Sequence, residues 1–311
     1  MKKMKKTNNK GITLVALVVT IVILIILATV TINAVLGDNG LIKQAEKTKD
    51  LAENSILKEG GDMNRLAQEY ANMIAEASNS EPPQEIIPQT DSYVGYYADI
   101  EGDGTVDGII YADLAKGNTG DGQWTNSSGN YTIPIETNLK DYYISKENYT
   151  GDFETKDVLT PVEGQSGKND RFYIMALDDI DGSGHYWYKS ASGKMSIDTD
   201  TAFGTGKTNT QTMISQWNSN KYPPQDNNDM WKLIQTQASK GWFVPSREEW
   251  AAFGEELGIT GANYITNALS FCYWSSSLLY PDIAWNAYFD RSSIYYSYVE
   301  STARVRLSST F

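Results

Sequence analysis

Cysteine and histidine are almost missing: the 311 residues hold one of each, Cys272 and His185. A single cysteine rules out an intrachain disulfide framework, and the pair supplies too few ligands for a Cys/His zinc site, which takes four. A nucleophile–histidine–acid triad would have to be built on His185. That residue lies in His185-Tyr186-Trp187-Tyr188, which reads as a strand with no neighbouring cysteine or obvious carboxylate, the setting of a packed or surface histidine. Positive charge is also short, with Lys+Arg 26 against Asp+Glu 39 and a net charge of -13. That balance speaks against nucleic acid as a partner, because phosphate contacts need a basic surface. What the chain does hold is 20 Tyr, 8 Trp and 41% hydrophobic residues, enough apolar material for one large globular domain or two small ones. An acidic, aromatic-rich, cysteine-poor chain reads as a secreted or surface binding protein more readily than as a cytosolic enzyme, and no catalytic residue is expected.

The amino terminus opens with Lys2, Lys3, Lys5, Lys6 and Lys10 and then turns apolar from Ile12 to Leu36. As a helix that run of roughly 25 residues would extend about 37 Å, enough to cross a bilayer. Basic residues before it would stay in the cytoplasm and place the rest outside, so a single-pass membrane protein with an extracellular carboxyl-terminal head is expected. Gly37-Asp38-Asn39-Gly40 breaks the run. Leu41, Ile42, Ala45, Leu51, Ile56 and Leu57, then Leu66, Tyr70, Met73 and Ile74, predict a helical stalk over 37–77. Pro82, Pro83 and Pro88 mark a linker over 78–91, and the head occupies 92–311.

Within the head, Asp99, Glu101, Asp103 and Asp107 surround Gly102 and Gly104 in the manner of the first half of a calcium loop. The twelfth position is Ile110 where a bidentate acid belongs, and the flanks read as strands, so an acidic hairpin turn is favoured and calcium at these four residues is the one cofactor considered. Gly204-Thr-Gly206-Lys207-Thr208 has the look of a phosphate loop but carries Thr201 where the first glycine should stand. Asp229 is expected to cap a helix running past Trp231, Ile234 and Ala238 to Gly241. Ser246-Arg247-Glu248-Glu249 is a capping box opening a helix with Trp250, Phe253 and Leu257 on one face.

Toward the carboxyl terminus, parity places Trp285, Ala287 and Phe289 on one face of a half-buried strand and Asn286, Tyr288 and Asp290 on the other. Arg304-Val305-Arg306-Leu307 alternates again and predicts the closing strand. Outward positions over 279–303 are rich in Tyr and Ser. Tyr offers large contact area at low entropy cost and Ser adapts its hydrogen bonds, the composition of a paratope. A ligand-binding surface of Tyr280, Asp282, Asn286, Tyr288, Asp290, Arg291, Ser293, Tyr295, Tyr296 and Tyr298 is therefore expected.

Two stretches resemble known families. Asn9-Lys10-Gly11-Ile12-Thr13-Leu14-Val15 resembles a type IV prepilin junction, which implies a prepilin peptidase that cuts after Gly11 and methylates Ile12, and other pilins as neighbours; Ala16 stands where that family carries Glu. Trp242-Phe-Val-Pro-Ser-Arg-Glu-Glu-Trp250, Tyr273-Trp-Ser-Ser-Ser277, Ala284-Trp285 and Arg304-Val-Arg306 resemble C-type-lectin-like domains of the formylglycine-generating-enzyme type, and more narrowly the variable proteins of diversity-generating retroelements. That resemblance implies a fixed scaffold holding Trp285 and a diversified surface over 279–303, most of whose outward residues can arise from an AAC codon by adenine randomisation, with Glu300 the exception. The expectation is an α+β chain: a long amino-terminal transmembrane and stalk helix followed by a C-type-lectin-like head that binds a protein or glycan on a cell, phage or host surface. Two competing readings are a minor pilin or pseudopilin with an assembly role, and an enzyme of the sulfatase-modifying type, whose paired cysteines this chain lacks.

Overall fold

The computed structural model describes residues 18–24, 85–120, 124, 130–162 and 168–311. The chain divides into two units, Met1–Ala67 and Gln68–Phe311. In the first, residues 18–24 form a helical stretch. Seven residues rise about 10 Å, roughly a third of a bilayer's hydrocarbon core. Among the described residues no helix is long and apolar enough to cross a membrane. This corrects two expectations: the α+β architecture led by a long transmembrane and stalk helix, and the single-pass membrane localisation with its external head. The described chain is mostly β-sheet with a few short helices. The leader 1–11, including Gly11 and Ile12, and the stalk 37–77 lie outside the described residues.

The second unit runs through strands β1 (Glu85–Ile86), β2 (Tyr97–Ala98), β3 (Gly108–Asp113), β4 (Asn118–Gly120), β5 (Tyr131–Ile133), β6 (Tyr142–Thr150), β7 (Thr155–Pro161), β8 (Phe172–Ala176) and β9 (His185–Tyr186). Helices α1 (Gly206–Asn218), α2 (Met230–Leu233), α3 (Gln235–Ser239) and α4 (Arg247–Glu256) follow. Strands β10 (Cys272–Tyr280), β11 (Ile283–Tyr288), β12 (Ser293–Tyr298), β13 (Thr302–Ala303) and β14 (Ser308–Thr310) complete it. The large sheet has the order β1-β6-β7-β2-β3-β8-β14, and β10-β11-β12 form a separate antiparallel sheet.

Strand β3 is Gly-Ile-Ile-Tyr-Ala-Asp, buried at every position, as suits an interior strand covered on both faces. Its last residue, Asp113, receives Arg171 through two bonds of 2.8 and 2.9 Å, and the guanidinium also reaches the Asp91 carbonyl at 2.9 Å. Both side chains are buried, so losing either would strand an unpaired charge.

Helix α4 is positioned by its first turn. The Ser246 hydroxyl accepts the Glu249 N–H, and the Glu249 carboxylate accepts the Ser246 N–H at 2.7 Å. The same carboxylate takes the N–H groups of Gly204 and Gly206 at 3.0 and 3.3 Å. The phosphate-loop-like stretch thus turns its amides toward a carboxylate of its own chain. A Cβ at position 206 would lie 2.2 Å from Glu249 Oε2, so only glycine permits this approach. Burial is the main force that pushes Glu249 up to about 7, against the pull of these donors.

Two expected elements differ. Asp229 makes no side-chain cap; its carboxylate takes the N–H of Lys189, the N–H of Asp226 and the Trp217 indole, and the expected helix divides into α2 and α3 at Ile234. The closing strand is β14, three residues beyond Val305, which pairs with β8. The stretch 304–307 alternates in sequence but not in burial: Arg306 is buried with Val305 and Leu307, held by Asp179 at 2.8 Å and the Ala268 carbonyl at 2.7 Å.

Candidate functional site

The carboxyl-terminal sheet lies between two apolar clusters. One face packs with Trp124, Trp250, Phe253 and Tyr273 around Trp285, Ala287, Phe289 and Ile294. The other packs with Trp187, Trp231 and Trp274 around Cys272, Leu278 and Ala284. Strand β11 sits between β10 and β12 with both faces covered. The half-buried strand expected from parity is therefore corrected. Trp285, Ala287 and Phe289 are buried as anticipated, but Asn286 on the opposite face is only 1% exposed. Alternation reveals which face a residue takes; it says nothing of what covers that face. Asn286 donates to the Cys272 sulfur at 3.4 Å, and its Oδ1 has no hydrogen-bond partner. Burial pushes the Cys272 thiol up to about 12, which removes it from nucleophilic chemistry at neutral pH. Tyr288 is half-buried against the same cluster, its hydroxyl 2.9 Å from Ser297 Oγ. Ser292, at the turn between β11 and β12, is buried and accepts the Gly261 N–H.

The remaining aromatic positions emerge on the surface. Tyr280 and Tyr298 are each 56% exposed, Tyr295 45% and Tyr296 39%. Ile283 pairs with both Tyr280 and Tyr298, and Trp285 pairs with Tyr296, so these three tyrosines share the Trp285 face. Tyr295 pairs with Asn286 and leaves from the opposite face. Its ring nevertheless stacks on Tyr296 with centroids 4.5 Å apart and planes 12° apart. Consecutive strand residues point to opposite faces, so the two rings must turn toward each other to stack. The Tyr296 phenol is raised above its ordinary value first by its hydrogen bond to Tyr295, then by the nearby phenols, including Tyr280 and Tyr298. Beneath the patch, Arg247 lies over the Trp285 ring at 5.5 Å and Tyr296 meets that ring edge-on at 6.0 Å. Asp290 and Arg291 are exposed at the other end of the strand, Arg291 being 5.7 Å from the Tyr288 ring centre, while Asp282 and Ser293 are partly covered. The structure thus brings Tyr280, Tyr295, Tyr296 and Tyr298 together, sets Asp282, Asp290, Arg291 and Ser293 along the neighbouring turns and strand, and withdraws Asn286 and most of Tyr288.

The acidic loop between β2 and β3 closes on itself. Asp99 accepts the N–H groups of Gly102 and Gly104 at 2.7 Å each, one on each oxygen, and that of Asp103 at 3.2 Å. Asp107 takes Ile100 at 2.7 Å, Asp103 takes Thr105 at 2.8 Å, and Glu101 is exposed. Burial raises Asp99 and pushes Asp107 up to about 6, with the charges of Asp99 and Glu101 adding to the latter. Among the described residues no group of three or more His, Cys, Asp or Glu could hold a metal ion. His185, expected to lack a carboxylate, has Asp181 Oδ1 at 2.8 Å. The partner stands four residues upstream across a tight turn, a spacing that alternation does not reveal. A cleft of about 580 Å³ lined by Phe153, Glu154, Lys156, Glu256, Asn263 and Asn267, among others, contains none of the residues expected to bind.

No family model and no curated protein matches the chain. Among solved structures it is similar to a fimbrial protein from Bacteroides ovatus, at 14% identity and a TM-score of 0.36. The match covers 70% of this chain and 48% of the other, so the chain spans about half the length of that structure.

Proposed function

We propose that the folded unit is a non-enzymatic recognition module that binds a protein or glycan ligand through Tyr280, Tyr295, Tyr296 and Tyr298, with Asp282, Asp290, Arg291 and Ser293 supplying polar contacts. The observation that carries this reading is the gathering of four exposed tyrosines on a sheet whose remaining aromatics are buried or half-buried. Large, two-torsion aromatic side chains on a rigid strand give contact area at low entropic cost, and such anchors dominate binding energy where interfaces have been scanned. The resemblance to lectin-like variable proteins supports the same surface. Replacing the four tyrosines by Ser should leave thermal melting nearly unchanged and abolish retention of the protein on a glycan array and on intact bacterial cells. A strong fall in melting temperature, with binding retained by the folded fraction, would reject the reading.

The prepilin-like junction supports a second partner, a prepilin peptidase. Intact-mass analysis should find a chain that begins at methylated Ile12, and Gly11→Leu should keep the leader attached. A wild-type mass beginning at Met1 would remove this part of the proposal.

A further inference from the structure

The start of β3, the turn between β6 and β7, and the end of α4 enclose the cleft of about 580 Å³. Val94, Ile109, Phe153 and Leu257 give it apolar walls, and Asp152, Glu154 and Glu256 line it against a single lysine, Lys156. That lysine is already engaged, with its Nζ 3.2 Å from Glu154 Oε2. The chemistry centres on Glu256, whose carboxylate is fixed from outside its own helix. Its Oε1 accepts the Tyr131 hydroxyl and the Asn118 Nδ2 group at 2.6 Å each, from strands β5 and β4. Tyr131 is itself fully buried, so the brace is rigid. The other oxygen, Oε2, takes no hydrogen bond among the described residues, and no lysine or arginine among them forms an ion pair with Glu256.

Glu256 also stands at the unfavourable end of α4. The last turn of a helix carries partial negative charge from its free carbonyls, and cations are stabilising there. Helix α4 has no basic residue in its last turn and ends in Glu255-Glu256. The Glu256 carboxylate is thus oriented, left without a counter-charge and set beside apolar walls. A second acceptor faces the same cleft from the following turn: Asn267 commits its Nδ2 group to the Asn263 carbonyl at 3.2 Å, while its Oδ1 takes no hydrogen bond among the described residues. A smaller hollow of about 140 Å³ shares Val94 and Glu256 with the cleft, so the depression continues past the carboxylate.

We propose that this cleft binds an arginine side chain carried on a basic segment of a partner protein. Acceptors on two different elements call for a head group with several donors, and a guanidinium presents five in one plane. Its hydrocarbon arm suits the walls of Val94 and Leu257, and its flat face suits the Phe153 ring. Bound there, it supplies the positive charge that the end of α4 lacks. The adjoining hollow gives room for the residues on either side of the arginine, and the net charge of -13 draws a basic partner toward the surface. The cleft is separate from the tyrosine patch. Arg247, in the first turn of α4, lies over Trp285 beneath the patch, and Glu256 closes the last turn, so about 14 Å of helix lies between them. The inference does not rest on the tyrosines, and either reading can fail alone.

The test titrates the peptide acetyl-Gly-Arg-Gly-amide into the isotope-labelled full chain and follows its amide resonances. The shifts should concentrate at Gly95, Gly258 and Asn267, which line the cleft. The same peptide with citrulline for arginine keeps the shape without the charge and should bind at least about tenfold more weakly, because charge-assisted hydrogen bonds are the strong ones. Glu256→Gln keeps an oxygen for Tyr131 and Asn118 and removes only the charge. It should weaken the arginine peptide at least about tenfold without lowering the melting temperature, since it relieves a negative charge at a helix carboxyl terminus. No binding, equal binding of the citrulline peptide, shifts confined to Tyr295, Tyr296 and Tyr298, or undiminished binding by Glu256→Gln would overturn the proposal and leave Glu256 as a brace for β4 and β5.

Discussion

Strands β11 and β12 lie side by side and have the same length, yet they meet opposite environments. Every residue of β11 from Ala284 to Ala287 is buried, whereas β12 exposes Tyr295, Tyr296 and Tyr298. The difference is position in the sheet. An interior strand is covered by neighbours on both sides and here by an apolar cluster on each face, while β12 has a described strand neighbour on one side only. Exposure in this region is thus set by the order of strands as much as by the residues they carry.

The comparison is broken most severely by emptying β11. Trp285→Ala or Phe289→Ala should each destabilise the unit by about 3–5 kcal/mol, because truncating a buried aromatic removes its transfer energy and leaves a cavity. Chemical denaturation measures this, and a loss near zero would show that the cluster around Trp250 and Phe253 does not depend on β11 and the Phe289 that follows it. Asn286→Asp should follow closely, since it places a charge where the native Oδ1 already lacks a partner.

An intermediate effect is expected from pH. Glu249 is raised from its ordinary value near 4.5 to about 7. A carboxyl raised on folding stabilises the protein fully below its unfolded value and loses that contribution as pH rises through the folded one. Stability should therefore fall between about pH 5 and about pH 8. The raised values of Asp99 and Asp107 act in the same direction at lower pH. Urea melts of the wild type and Glu249→Gln check this: the variant should have the shallower slope across that range.

The smallest effect sharpens the contrast from the β12 side. Tyr298→Ser alone should change stability by less than about 1 kcal/mol, since a residue already half in water has little burial to lose. A larger loss would mean that the Tyr298 ring is covered in the protein as purified.

Local rules carried far where the chemistry was local. The capping box at Ser246 and Glu249 stands as its spacing predicted. Trp285 and Phe289 are buried and Tyr280, Tyr295, Tyr296 and Tyr298 are exposed, as composition suggested; parity alone did not sort them, because Tyr280, Tyr296 and Tyr298 share the face of Trp285. The failures within the head are mostly long-range, the exception being His185, whose partner Asp181 stands four residues upstream. Asn286 was read as outward because nothing in its neighbourhood names the Cys272 cluster that covers it, and Asp229 was read as a cap although its partners Lys189 and Trp217 are 40 and 12 residues away. The phosphate-loop-like glycines gained a meaning only when Glu249, far along the chain, filled the space they enclose.

By itself, then, the amino-acid sequence determined the absence of an intrachain disulfide, the acidic charge, the aromatic load and the alternation that sorts each strand's residues onto two faces. These depend on residues a few positions apart or on composition alone. Tertiary structure decided which faces are covered, which strand is left at the edge, and which carboxylates are buried. Each of those depends on segments distant in sequence meeting in space, and alternation with a period of two assigns a side without supplying the neighbour that lies against it.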